Sequence, residues 1–283
     1  MNILEFQAKG LLDSYGVGIP AGKVVSTVDE ALEAAKFLND GNWMIKAQIY
    51  AGSRQKGHFH DREGDGGIVM VDSIDSVGLC VKGMLGHFLV TDQTGRDGLY
   101  VEQVYVEQAL KVEREWALSL SIDDRLRTVV LMLCRTGGAQ IESLSKLSPD
   151  EVHMIPLGLN GELSQATLSK VLQEFDLQEP VCNQFKKIIK DSIRLFYEKD
   201  ASLVEINPLG LVDGSLTALD AKMSFDDNAL FRQPDIKAMQ SKGVRKKATP
   251  PSKYRWIQLS TVGWKYWVPV CGGRFVHGVT RCH

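Results

Sequence analysis

The 283-residue chain contains no run of about 18 apolar residues, so no transmembrane helix is expected. Its start, Met1-Asn2-Ile3-Leu4-Glu5-Phe6, has neither a basic n-region nor an apolar h-region, and no signal peptide is expected. The five cysteines (Cys80, Cys134, Cys182, Cys271 and Cys282) are scattered, odd in number and without a C-x-x-C pair. That pattern argues against zinc and for reduced thiols in a cytoplasmic compartment. No Ser-His-Asp or Cys-His arrangement suggests nucleophilic catalysis. No G-K-[ST] closes a Walker A loop, and Gly16, Gly18 and Gly22 miss G-x-G-x-x-G by one residue. Internal repeats and low-complexity segments are also lacking. The sharpest absence is of carboxylates: no Asp or Glu follows Asp235, while ten Lys and Arg do. The last 48 residues therefore carry +10 and the rest −12, behind an overall charge of only −2.

What is present is a globular composition, 44% hydrophobic and 24% charged, in a chain long enough for one large domain or two. The segments Leu203-Val204-Glu205-Ile206-Asn207-Pro208-Leu209 and Leu219-Asp220-Ala221-Lys222 flank Asp213-Gly214, a strong hairpin signal. With that pair as the two-residue loop, Val212 faces Ser215, Asn207 faces Asp220, and Glu205 faces Lys222. The period of two puts Glu205 and Asn207 on one face, with opposed Cβ atoms about 4.5–5.5 Å apart. Oxygen donors grouped in this way suit Mg²⁺ completed by water and phosphate. An ordinary exposed hairpin face with a Glu–Lys pair is the alternative.

Elsewhere helices and strands alternate. Thr27-Val28-Asp29-Glu30 is a capping box opening a helix with Ala31, Leu32, Ala34, Ala35 and Leu38 as its stripe. A strand is expected at Trp43–Ile49, burying Ile45, Ala47 and Ile49, then a Gly-rich segment, a strand at Ile68–Val71 and a helix opened by Ser73. Leu99–Glu107 is expected to pair with Glu115–Ile122, and the latter with Leu126–Cys134. Helices are expected over Ser164–Phe175 and Val181–Tyr197. Mixed sheets with segregated helices make the class α+β, in two lobes.

Lys46 stands mid-strand among apolar residues, so it either snorkels to solvent or meets an anion in a cleft. Ala51-Gly52-Ser53-Arg54-Gln55-Lys56-Gly57 reads as a phosphate-facing loop or a solvated turn. Glu107 or Glu102, each in a Val-Glu-Gln-like setting, offers an acceptor for a purine amino group or a ribose hydroxyl, and Glu115 lies on the expected facing strand. His58-x-His60-Asp61 has metal-ligand residue types but a loop setting without partners.

Together these residues resemble the β-subunit of succinyl-CoA synthetase (succinate–CoA ligase), an ATP-grasp enzyme, from Met1 to about Met239. The resemblance rests on Phe6-Gln7-Ala8-Lys9, Lys46-Ala47-Gln48 with Ala51-Gly52, Thr91-Asp92-Gln93-Thr94 and Val106-Glu107. It continues through Gly137-Gly138 with Ile141-Glu142, Glu205 to Leu209, Leu219 to Lys222, and Asp227-Asn228-Ala229-Leu230-Phe231-Arg232-Gln233-Pro234-Asp235. It implies an ATP-grasp fold and nucleotide contacts at Lys46, Ser53, Arg54, Gln55, Glu107, Leu110 (backbone) and Glu115, which selects Glu107 over Glu102. It implies Mg²⁺ ligands at Asn207 and Asp220, with ATP/ADP or GTP/GDP as the nucleotide. Phosphoryl transfer would run to a histidine on a partner α-subunit that holds CoA, so no catalytic histidine is expected here. Malate–CoA ligase and ATP-citrate lyase share the domain, and a nucleotide-binding remnant without turnover is the other reading. No nucleic-acid or membrane partner is expected. Two departures stand out. Ser53 and Gln55 replace the glycines of the family's Gly-Arg-Gly, and Thr136 replaces the Glu of its Glu-Gly-Gly.

The expected division is residues 1–236 as the ATP-grasp domain and 237–283 as a basic, Trp-rich tail. The family's second, flavodoxin-like CoA-ligase domain is expected to be missing. Read one base later, codons compatible with Gly263-Trp264-Lys265-Tyr266-Trp267-Val268-Pro269-Val270 admit Asp-Gly-Asn-Ile-Gly-Cys-Leu, the segment near which that domain begins. The tail therefore reads as its frameshifted start. A native basic tail binding nucleic acid or membrane is the rival.

Overall fold

Most of the expected elements form, and the chief departure is a strand pairing. The computed structural model describes residues 1–38, 41–60, 66–138 and 151–240, and the strands 255–261, 264–271 and 274–275. Ile141-Glu142, Asp61 and most of the tail, including its side chains, lie outside the described residues.

The chain forms two compact units, Met1–Val244 and Arg245–His283. In the first, α1 (Glu5–Ser14) precedes β1 (Gly22–Val25), α2 (Val28–Leu38) and β2 (Trp43–Gln48). Next come β3 (His58–Phe59), β4 (Ile68–Val71), α3 (Ile74–Met84), β5 (Phe88–Val90), β6 (Leu99–Tyr100) and β7 (Gln103–Gln108). Then follow β8 (Arg114–Asp123), β9 (Thr128–Cys134), β10 (Val152–Pro156), α4 (Gln165–Gln173) and α5 (Glu179–Glu198). The set closes with β11 (Ala201–Val212), β12 (Ser215–Ala218), β13 (Ala221–Phe225) and α6 (Pro234–Ala238). In the second unit β14 (Arg255–Thr261), β15 (Trp264–Cys271) and β16 (Arg274–Phe275) pair antiparallel, with Arg255 opposite Val270 and Cys271 opposite Arg274.

One lobe is an antiparallel sheet in the order β1-β7-β2-β4, with α2 and α3 packed beside it over Ala31, Ala35, Ile45, Val77 and Val106. The capping box shifts by one residue: Thr27 Oγ1 accepts from Glu30 N at 3.2 Å, but the Glu30 carboxylate takes Ser26 N at 2.7 Å. Ser73 caps α3 as expected. The other lobe is the sheet β10-β9-β8-β11-β12, with β13 also on β11. Its core joins Leu118, Leu131, Val204 and Ile206 to Phe185, Ile189 and Phe196 of α5 and to Ala8 and Leu12 of α1.

One expected pairing is overturned. Leu99–Glu107 does not face Glu115–Ile122: Leu99–Tyr100 joins β5, and Gln103–Gln108 lies between β1 and β2. The Ala109–Glu113 segment has no tight-turn signal and instead carries the chain from one lobe to the other, where Glu113 N donates to Leu211 O. The pairing of β8 with β9 holds, Asp123 facing Thr128.

Candidate functional site

The hairpin forms in the expected register. Val212 pairs with Ser215 and Leu209 with Ala218, and beyond the middle Ile206 pairs with Ala221 and Glu205 with Lys222. Asp213 and Gly214 both have positive φ, 48° and 75°, as a type I′ loop requires. Pro208 has no N–H to offer the ladder, and the register of β11 against β8 shifts between Ile206 and Leu209. At this irregularity Asn207 N donates to Asp220 O at 3.1 Å, so the two residues stand opposite each other. The Asn207 amide reaches Glu205 Oε1 at 3.5 Å, so these two do share a face.

Between the lobes opens a cleft of about 640 Å³. Its lining includes Lys46, Gln55, Glu107, Leu110, Glu115, Asn207 and Asp220, seven of the nine residues expected at the site. Gly137 and Gly138 also line it, and Gly138 N donates to Asn207 Oδ1 at 2.9 Å. A Cβ on Gly137 would stand 2.6 Å from Trp116 O and 2.9 Å from Pro208 Cβ, so only glycine fits there. Ser53 and Arg54 do not line the cleft. Ser53 adopts φ 56°, ψ 26°, the left-handed conformation that glycine favours, so of the two residues that replace glycine it is Ser53 and not Gln55 that bears backbone strain.

Arg54 turns inward. It is 5% exposed, and its Nη2 contacts Asp220 Oδ1 at 2.9 Å and Oδ2 at 2.8 Å, while Nη1 contacts Glu5 Oε2 at 2.6 Å. Lys46 is equally buried, which excludes snorkelling. Its ammonium contacts Glu5 Oε1 at 3.0 Å, Leu219 O at 2.7 Å and Glu107 Oε2 at 2.5 Å. Glu107 is no solvent-face carboxylate either, because its other oxygen accepts from the buried Lys9.

Six charged groups thus meet behind the cleft, three of each sign. Burial pushes the Glu5 carboxyl up, but Arg54, Lys46 and Lys9 outweigh it and hold Glu5 well below the usual carboxylate range. Burial disfavours the Lys46 and Arg54 charges, yet Glu5 and Asp220, with Glu107 beside Lys46, more than reverse this and raise both. Burial raises Glu107 despite Lys46 and Lys9. It lowers Lys9, with Lys46 repelling it further.

Glu5 and Lys9 were not singled out in the sequence beyond the Phe6–Lys9 resemblance. The available signal was their i,i+4 spacing beside an apolar stripe of Leu4, Ala8, Leu11 and Leu12. His58 pairs through its backbone with Val90, and among the described residues no group of three His, Cys, Asp or Glu is arranged to hold a metal ion by itself.

The donor set suits a nucleotide-bound Mg²⁺: two hard oxygen donors face each other across the hairpin, with cations behind them and glycine N–H groups nearby. A family model of the ATP-grasp domain matches residues 2–211. The "Succinate--CoA ligase [ADP-forming] subunit beta" of Paracoccus denitrificans (strain Pd 1222) is 40% identical over 243 residues, 85% of this chain and 61% of that protein. The subunit of the same name from Bartonella henselae is 39% identical, covering 83% of this chain and 60% of that protein. The chain thus spans about three fifths of the length of these curated relatives. Among solved structures, ATP citrate lyase from Methanothrix soehngenii superposes with a TM-score of 0.62 at 16% identity, covering 85% of this chain and 54% of that one. A dinucleotide-forming acetyl-coenzyme A synthetase from Ca. Korarchaeum cryptofilum gives 0.57 at 14%, covering 80% of this chain and 93% of that one. With residues 2–211 matched by that model, the chain belongs to the ATP-grasp domain family.

Proposed function

We propose that this chain binds Mg²⁺-nucleotide as the ATP-grasp part of a succinate–CoA ligase β-subunit. The reaction would be the reversible conversion of succinate, CoA and nucleoside triphosphate to succinyl-CoA, nucleoside diphosphate and phosphate, through a phosphohistidine on a partner α-subunit. The observation that carries this reading is the opposition of Asn207 and Asp220 at the cleft, with Lys46 and Arg54 behind them.

Asn207 Oδ1 and the Asp220 carboxylate would hold the ion, whose chemistry is to neutralise charge on the phosphates. Lys46 would reach the phosphates from the cleft floor by trading its bond to Leu219 O, the uncharged one of its three partners. Arg54, once off Asp220, would present Nη2 to a phosphate oxygen. Leu110 would meet the purine through its backbone, and Glu115 the ribose. Glu107 would reach the purine only by exchanging one of its lysines. Adenine and guanine both fit this description.

Calorimetric titration with Mg²⁺-ADP, with Asp220→Ala as control, tests the reading. Saturable binding that Asp220→Ala abolishes is expected, and a folded chain without binding would overturn it. A nucleotide-binding remnant without turnover is a second reading, favoured by the left-handed Ser53 in the phosphate loop. Succinate-dependent nucleotide cleavage on adding an α-subunit separates the two.

A further inference from the structure

Lys46, which lines the cleft, and Arg54, which turns inward beneath it, share one buried partner that also stands outside the cleft lining. Glu5 Oε1 accepts from Lys46 Nζ at 3.0 Å and pairs with Lys9 Nζ at 3.2 Å. Glu5 Oε2 accepts from Arg54 Nη1 at 2.6 Å and from Gln48 Nε2 at 3.2 Å. Four donors from α1, β2 and the phosphate loop thus converge on one carboxylate that is 5% exposed.

Stability alone is a weak reason for such a cluster. Desolvating charges offsets most of their attraction, and apolar side chains of similar volume would fill the space at least as well. What the cluster does supply is position. Arg54 is gripped by Glu5 at Nη1, which leaves Nη2 pointing at Asp220. The Lys46 ammonium is tied to Glu5 by one donor and to Leu219 O, next to Asp220, by another. Lys9 bonds to both Glu5 and Glu107 and keeps the group electrically balanced.

We infer that Glu5 is a positioning residue of the phosphate subsite, fixing Lys46 and Arg54 at the depth where both meet the phosphates of a nucleotide. The inference rests on the nucleotide-binding reading above. A glutamine at this place turns an amide N–H toward Arg54 or Lys46, donor against donor, and releases the guanidinium.

The test compares Mg²⁺-ADP with AMP, which lacks the second phosphate, on the full chain by calorimetry. Glu5→Gln is expected to weaken Mg²⁺-ADP about tenfold or more, as loss of one partner of a buried charge pair does. AMP is expected to change by less than about twofold, because the purine and ribose contacts at Leu110 and Glu115 lie outside the Glu5 cluster, Glu107 alone being tied to it through Lys9 and Lys46. A purely structural role would weaken both ligands in parallel. Should Glu5→Gln fail to fold, Glu5→Asp keeps the charge but draws it back by one methylene. It is expected to fold and to show a smaller loss confined to Mg²⁺-ADP. Parallel losses, or no loss, in the folded variant overturn the role of Glu5 alone. Absence of Mg²⁺-ADP binding in the unmodified chain overturns the nucleotide reading, and Glu5 with it.

Discussion

One nitrogen of Arg54, Nη2, lies between the two carboxylate oxygens of Asp220, 2.9 Å from one and 2.8 Å from the other. A divalent ion held by both oxygens would occupy the same place, so the guanidinium and the ion compete. Mg²⁺ alone is therefore expected to give no saturable binding, and Mg²⁺ with ADP to bind, because phosphate offers Arg54 a new acceptor. Arg54→Met is expected to admit the metal without nucleotide. Mn²⁺ followed by electron paramagnetic resonance checks both. Saturable binding to the unmodified chain without nucleotide would sink the idea.

Ser53→Gly is expected to stabilise the chain by about 0.5–1 kcal/mol: relief of the left-handed backbone outweighs the entropy that glycine adds to the unfolded state. Urea denaturation reads this directly. A lower midpoint would mean that the Ser53 side chain contributes more than its backbone costs.

Gly137→Ala is expected to destabilise by about 1–3 kcal/mol, since the new methyl meets Trp116 O and the Cβ atoms of Glu115 and Pro208, none of which can yield freely. It also displaces Gly138 from Asn207, so nucleotide affinity is expected to fall with stability. A variant with unchanged melting and binding would contradict the close approach.

The pH dependence follows from opposite shifts at two carboxyls. Glu5 is held below its ordinary value of about 4.3, so its charge stabilises the fold above that value. That stability is lost as pH falls through the depressed folded value. Glu107 is shifted upward, so protonating it favours the native state. Urea midpoints between about pH 7 and pH 3 are expected to fall steeply for the native chain and for Glu107→Gln, and less for Glu5→Gln. Equal slopes in all three would remove Glu5 as the source.

The hairpin was legible because its geometry is local: Asp213-Gly214 permits one tight loop, and the period of two then places Asn207 and Asp220. The same locality gave the helix cap at Ser73. Pairing of Leu99–Glu107 was not legible, since no turn residue joins it to Glu115, and β1 and β2, its true neighbours, are distant in sequence. Nor was the burial of Glu5 and Lys9. An i,i+4 Glu–Lys pair near a chain start looks like any exposed helix pair until a second sheet closes over it. Ser53 shows the converse: replacement of glycine was visible in the sequence, but which of Ser53 and Gln55 bears the positive φ was a fact of the folded loop.

Helix α1 buries its apolar stripe in one lobe and sends Glu5 and Lys9 to bond with β2, β7 and the Arg54 loop of the other. Parting the lobes along this seam would break the buried ion pairs that Glu5 and Lys9 make across it, so the seam ties the two lobes together. Amide protons of β2 beside Glu5, at Lys46 and Gln48, are accordingly expected to exchange slowly.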